Sequence, residues 1–198
     1  MRGPAGSPVE ARDIHPVSIG GRERGGTLMA HRRSRGGLMA EVFDIRKSVT
    51  VGAPVDQAFA IFAERPLEWW PKTHVFVEDR RAITIEPRIG GRYFERGSDG
   101  TEVDWGTVVE WDPPNRLVLT WRVGADWQPV HDDEKASFIE VDFVALDRTT
   151  TRVTLTHAQL HRHGEVAEFI HAALDGPSPG ETLAKYAEVV AEHTPAAV

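Results

Sequence analysis

Nine histidines and no cysteine set the chemistry open to this chain of 198 residues. The lack of cysteine removes disulfides, thiolate metal sites and cysteine nucleophiles, and it fits a reducing cytoplasm. His157, His161 and His163 lie close together, with His171 not far beyond. Histidines four apart bind zinc when both sit on one helix face. Here the pair His157 and His161 spans a strand end and a loop. With no thiolate and no HExxH run, this spacing favours surface or partly buried histidines over a metal centre. The run His131-Asp132-Asp133-Glu134 lacks the spaced oxygen ligands and the glycine of a calcium loop, so it reads as a solvated acidic loop. No serine sits in a nucleophile elbow, and no glycine-rich phosphate loop joins a strand to a helix. The residues therefore assign no catalytic group, no metal and no cofactor.

Six tryptophans are many for this length. Trp105 and Trp121 fall on the inward side of consecutive strands, and Trp69 and Trp70 form a short turn at one end of the groove. With Phe143, His157 and Phe169 they are the candidate lining of a cavity for an apolar or flat ligand. A filled aromatic core is the competing arrangement. His157 ends the inward series of Val153 and Leu155. It reads either as a polar anchor or general base at the cavity floor, or as a strand-end histidine bonded to backbone, and the second is favoured.

These residues must be positioned by the elements around them. Glu41–Val51 reads as a strand, stopped by Gly52-Ala53-Pro54. Val55, Ala58, Phe59 and Phe62 recur at helical spacing, and Leu67–Pro71 is a short second turn. A β region follows. Val75–Val77 reads as an edge piece, Ala82–Arg88 as a strand, and Arg92–Arg96 as its partner. Gly97-Ser98-Asp99-Gly100 is a hairpin signal. In Glu102–Trp111, simple alternation puts Val103, Trp105, Thr107, Val109 and Trp111 on one face. Arg116–Val123, Ser137–Leu146 and Thr151–His157 alternate likewise, with Glu140 and Asp142 on the charged face. Such a meander is an antiparallel sheet with one apolar side. Helical spacing of Val166, Phe169, Ile170, Ala173 and Leu174, then of Leu183, Tyr186, Ala187 and Val190, supplies the cover. The order argues for an α+β domain with helices on one face of the sheet.

Residues 1–38 differ from the rest. They carry seven arginines against three acids, a charge of +4, and eight of the 18 glycines. Residues 39–198 carry 16 bases against 27 acids, a charge of −11. The first segment reads as a flexible basic tail, or as sequence upstream of a true start at Met29 or Met39. Deleting it is expected to leave the melting temperature nearly unchanged. A fall of more than a few degrees would show that it packs on residues 39–198, read as a single domain. The acidic charge of that domain repels phosphates and argues against direct nucleic-acid binding. The longest apolar run, Ala58–Ala63, is six residues, far short of the ~20 of a membrane span.

Taken in order, several short motifs resemble one family. They are Val51-Gly52-Ala53-Pro54-Val55, Pro87-Arg88-Ile89-Gly90-Gly91-Arg92, Asp104-Trp105-Gly106-Thr107-Val108, Pro113-Pro114-Asn115-Arg116-Leu117, Leu119-Thr120-Trp121 and Val153-Thr154-Leu155-Thr156-His157. Across residues 42–192 their order is similar to that of START-like, or SRPBCC, domains. Within these it is most similar to bacterial proteins related to the activator of heat-shock protein 90 ATPase. One departure is Glu181 after Gly180, where many relatives open the last helix with Gly-Trp. The resemblance implies a helix-grip fold: a curved antiparallel sheet of six or seven strands around a long C-terminal helix, with two short helices after the first strand. It implies a hydrophobic or aromatic small molecule as partner, bound between sheet and helix. Two alternatives stand beside that reading, a polyketide-cyclase-like or hydrolase-like enzyme using the same cavity, and a chaperone or regulator interaction module. A homodimer is compatible with each.

Overall fold

The computed structural model describes residues 44–73, 75–176 and 178–194; the first 38 residues, and the start of the predicted first strand, lie outside them. Seven strands form one antiparallel sheet: β1 (Ile45–Val51), β2 (Arg80–Ile85), β3 (Arg92–Gly97), β4 (Glu102–Asp112), β5 (Arg116–Trp121), β6 (Ser137–Ala145) and β7 (Thr151–Ala158). Their order is β1-β7-β6-β5-β4-β3-β2. All the strands after β1 are consecutive hairpin neighbours, and β1 returns to pair with β7. Two short helices, α1 (Val55–Glu64) and α2 (Pro66–Trp69), follow β1. A 3-10 helix (Leu160–Val166), α3 (Ala167–Leu174) and the long α4 (Ser178–His193) follow β7. This is the curled sheet and C-terminal helix of a helix-grip fold. The edge piece expected at Val75–Val77 is irregular backbone.

The core lies between the inner face of the sheet and the helices. Leu117, Leu119 and Trp121 on β5, Ile139, Val141 and Phe143 on β6, and Val153, Leu155 and His157 on β7 are all buried. Their period of two follows from the pleat. From α4, Leu183, Tyr186, Val189 and Val190 are buried, and the Tyr186 hydroxyl donates to the Ala58 carbonyl at 2.8 Å, tying α4 to α1. On the outer face Arg116 bridges Glu110, Glu140 and Asp142 at 3.0, 2.7 and 2.5 Å. The half-exposed Glu140 and Asp142 are therefore surface partners of an arginine.

β4 departs from simple alternation. Its register shifts opposite Tyr93 and Phe94 of β3, and again between Val108 and Glu110 opposite β5. Each shift inserts one residue and moves the following side chains to the other face. Trp105 and Val108 are buried, whereas Val109 is exposed. Gly106 makes the first bulge possible, since a Cβ there would lie 2.1 Å from the Thr120 carbonyl oxygen.

Candidate aromatic site on the inner face of the sheet

Of the seven candidate lining residues, Trp69, Phe143, Trp105 and Trp121 all lie in the buried hydrophobic core, the first two packed against the helices. The Trp69 ring lies 4.4 Å from Phe62 and 5.8 Å from Tyr186. Phe143 packs edge-on against Phe59 and Phe62 at 5.2 and 5.6 Å. Phe169 lies elsewhere: it is 56% exposed on α3, whose buried residues are Ile170 and Leu174. The predicted apolar stripe was too wide to fix which side of α3 faces inward, and packing chose Ile170 and Leu174. Trp70, Trp105, Trp121 and His157 come together in two adjoining groups.

The first group surrounds Trp105. Trp70, Tyr93 and Phe76 lie 4.8, 5.0 and 6.0 Å from its ring. The second surrounds Trp121, whose ring meets His157 at 5.4 Å, His163 at 5.5 Å and Trp127 at 6.4 Å. The strands bring the two groups side by side, because the Arg122 amide, next to Trp121, donates to the Trp105 carbonyl at 3.1 Å. Together they make an aromatic wall running from α2 across β3, β4 and β5 to β7. Apart from the tilted Trp70–Trp105 pair, these rings meet edge to face, an arrangement aromatic pairs prefer.

Polar groups stand at both ends of the wall. At one end, Glu95 on β3 is fully buried. Its Oε1 accepts from the backbone N–H of Phe76 and, at 2.7 Å, of Val77. Arg80 lies 3.6 Å from Oε2 and also donates to the Pro71 carbonyl. The carboxylate thus fastens the segment that carries Phe76 against Trp105. Burial pushes the Glu95 carboxyl up, opposed by the two amides, by Arg80 and by the nearby Trp105 indole. That indole N–H approaches Glu95 but completes no hydrogen bond with any described residue. Sequence reading passed over Glu95, although it alternates with the inward Tyr93; a charged residue on a strand is ordinarily solvent-facing.

At the other end, His157 is buried on the inner face between Ile45 and Ile139 of the flanking strands. Its Nδ1 has no hydrogen-bond partner among the described residues. It is therefore not the backbone-bonded histidine that the spacing favoured. Burial, with the nearby His163, lowers its pKa to about 4, so the ring is neutral at physiological pH. His163 is half-buried, with its own pKa lowered by burial and by Arg162, and its Nε2 lies 2.9 Å from the Ser137 hydroxyl. Arg162 holds this turn in place by donating to the Asp133 carbonyl at 2.7 Å and lying over the Phe138 ring. His161 is exposed. Among the described residues no group of His, Asp and Glu is arranged to hold a metal ion.

The buried His157 makes stability depend on pH with a definite sign. Its folded pKa lies below the unfolded value near 6.5, so between about 4 and 6.5 the unfolded chain binds more protons. Stability is then lost as pH falls through that window, by on the order of 3 kcal/mol in total. Glu95, raised by burial, works in the opposite sense. Urea unfolding of the parent and of His157→Phe at pH 7 and pH 4.5 isolates the histidine contribution. The parent is expected to lose more stability than the variant, and equal losses would contradict the assignment.

A separate groove of about 420 Å³ lies between the α1–α2 junction and β2, lined by Arg65, Leu67, Glu68, Arg81 and Ile83. It is open to solvent and holds an exposed Arg65–Glu68 ion pair. Among the described residues no helix is long and apolar enough to cross a membrane.

The model of the family "activator of Hsp90 ATPase homolog 1-like protein" matches residues 52–175. The chain belongs to the AHSA1 family. No curated relative matches it. Among solved structures, the anthrahydroquino-γ-pyrone synthase Txn09, solved as a complex, is 55% identical to this AHSA1 protein. That match covers 76% of this chain and 99% of Txn09, with a TM-score of 0.54. The self-sacrificing resistance protein CalC from Micromonospora echinospora is 28% identical over 78% of this chain and 97% of CalC, with a TM-score of 0.51. A Nitrosomonas europaea protein is 16% identical over 80% of this chain and all of its own, with a TM-score of 0.55, and shares the fold. The AHSA1 assignment marks the chain as a member of a ligand-binding domain family, with a γ-pyrone synthase and a resistance protein among the solved structures it resembles. The family label itself assigns no chaperone activity.

Proposed function

We propose that this protein is a cyclase that closes a γ-pyrone ring onto a flat, hydroxylated polycycle of the anthrahydroquinone type. The observation that carries the reading is the 55% identity to a γ-pyrone synthase over nearly the whole of that enzyme. The aromatic wall is its physical support. The half-buried Trp70 lies beside the buried Trp105, with Trp121 in the adjoining group, an aromatic environment that suits such a substrate better than a flexible lipid. Of the three readings open at the level of residues, a ligand-binding domain, an enzyme and an interaction module, this identity favours the enzyme.

The chemistry demands little beyond placement. A γ-pyrone closes when a phenolic oxygen bonds to the distal carbonyl carbon of a 1,3-dicarbonyl side chain. The phenolic proton passes to that carbonyl oxygen, giving a cyclic hemiketal. The hemiketal then loses one water to form the ring double bond. Holding the phenol and the carbonyl carbon in contact removes most of the entropic barrier to the first step. A rigid wall of interlocked rings supplies such a hold without a metal or a covalent intermediate.

The test is direct. The full chain is incubated without oxygen with an anthrahydroquinone bearing a 1,3-dicarbonyl side chain, and products are separated and weighed by mass spectrometry. The expected product is lighter by one water and contains the pyrone. Saturable binding with no product above the enzyme-free rate would favour the ligand-binding or regulatory reading. Absence of binding would favour an interaction module.

A further inference from the structure

We propose that His157, with the His163–Ser137 pair across Trp121, forms a subsite for a phenolic hydroxyl, so that the protein selects hydroxylated polycycles over their unsubstituted parents. This deepens the reading of a flat aromatic ligand and rests on it.

The first observation is His157 itself. A buried imidazole nitrogen with no partner is costly to the folded state, because it has given up its bond to water and gained none. His157 Nδ1 is in that condition among the described residues, on the inner face, with its ring against Trp121. The site is polar at one atom and apolar around it, with Trp121 against the ring and Ile45 and Ile139 beside it. A phenol has the same character: a flat apolar ring and one hydroxyl that both donates and accepts. The imidazole matches it in either tautomer, and its neutrality means that no buried charge must be compensated when the phenol is neutral.

The second observation is the way His163 is held. The residue before its turn, Gln159, adopts a left-handed backbone conformation at φ 58°, and its N–H is bonded to Asp44 at 2.9 Å. Gly164, immediately after His163, has φ 62°, a conformation that glycine adopts without strain. Arg162 anchors the turn to the Asp133 carbonyl. Asp133 in turn takes two bonds from Arg122, at 2.6 and 2.9 Å. These contacts bring His163 to Ser137 at 2.9 Å and to the Trp121 ring. Trp121 is thus flanked by two imidazoles, one with a free nitrogen and one already bonded to a hydroxyl. A polycycle lying along the wall presents its ring edge to this end, where its hydroxyl meets His157.

The test measures selectivity. Affinities of the full-length protein for anthraquinone and 2-hydroxyanthraquinone are measured by quenching of intrinsic tryptophan fluorescence. The parent is expected to prefer the hydroxylated compound by about tenfold, the worth of one buried hydrogen bond. His157→Phe keeps a flat ring and is expected to remove the preference while leaving anthraquinone binding within about threefold of the parent. His163→Gln, at a half-exposed position, guards against misfolding of the first variant and is expected to reduce the preference in part. If the parent binds both compounds equally, or if the preference survives in both variants, the subsite is overturned and the flat-ligand reading stands. If the parent binds neither compound, both are overturned.

Discussion

Trp121→Ala is expected to lower folding stability by about 3–5 kcal/mol, the cost of deleting a large buried aromatic side chain. Trp121 is 8% exposed and touches three rings, those of Trp127, His157 and His163. Its removal takes out the centre of one half of the aromatic wall. Its neighbours have no replacement to close on, since Trp127 sits in the β5–β6 connection and His157 on a central strand. Urea unfolding at pH 7 measures the change. A variant as stable as the parent would contradict burial of Trp121 and would move the ligand surface to another face of the sheet.

Glu95→Ala is expected to cost as much, about 3–5 kcal/mol, for a different reason. The substitution leaves two amide donors, Phe76 and Val77, without their acceptor. It also leaves Arg80, buried alongside, without its carboxylate. Glu95→Gln keeps an acceptor oxygen for the amides but loses the charge, so an intermediate loss is expected. Thermal and urea unfolding of the two variants separate these contributions. If alanine is tolerated within about 1 kcal/mol, the carboxylate does not fasten this segment. The functional consequence follows from position. Phe76 packs on Trp105, so freeing the segment loosens the wall at that end.

The strands β5, β6 and β7 were legible in the sequence because apolar residues alternate along each, although β5 also buries Val118 and Thr120 on its other side and β7 buries Thr156. Leu117, Leu119 and Trp121, Ile139, Val141 and Phe143, and Val153, Leu155 and His157 all face inward as their alternation predicts. β4 was legible as a strand but not in its facing. Its two inserted residues shift the period, and nothing in the alternation marks them. Phe169 was misplaced because α3 is apolar on more than one side, and spacing alone does not orient such a helix. Trp70, Trp105, Trp121 and His157 were read as site residues from strand and turn position. The other residues of the candidate site were hidden for physical reasons. Glu95 depends on donors from an irregular segment, and His163 depends on a turn set by left-handed Gln159 and Gly164. Neither contact has a sequence period.

The account turns on the wall being where a flat ligand binds. Anthraquinone titrated into the parent, Trp105→Ala and Trp121→Ala, followed by fluorescence and by thermal shift, tests this most directly. The parent is expected to show saturable binding that raises stability by about 2.7 kcal/mol at a hundredfold excess over Kd. Each variant, in a folded preparation, is expected to bind at least about tenfold more weakly, as loss of one stacking partner implies. Saturable binding that persists unchanged in both variants would place the ligand elsewhere and contradict the account.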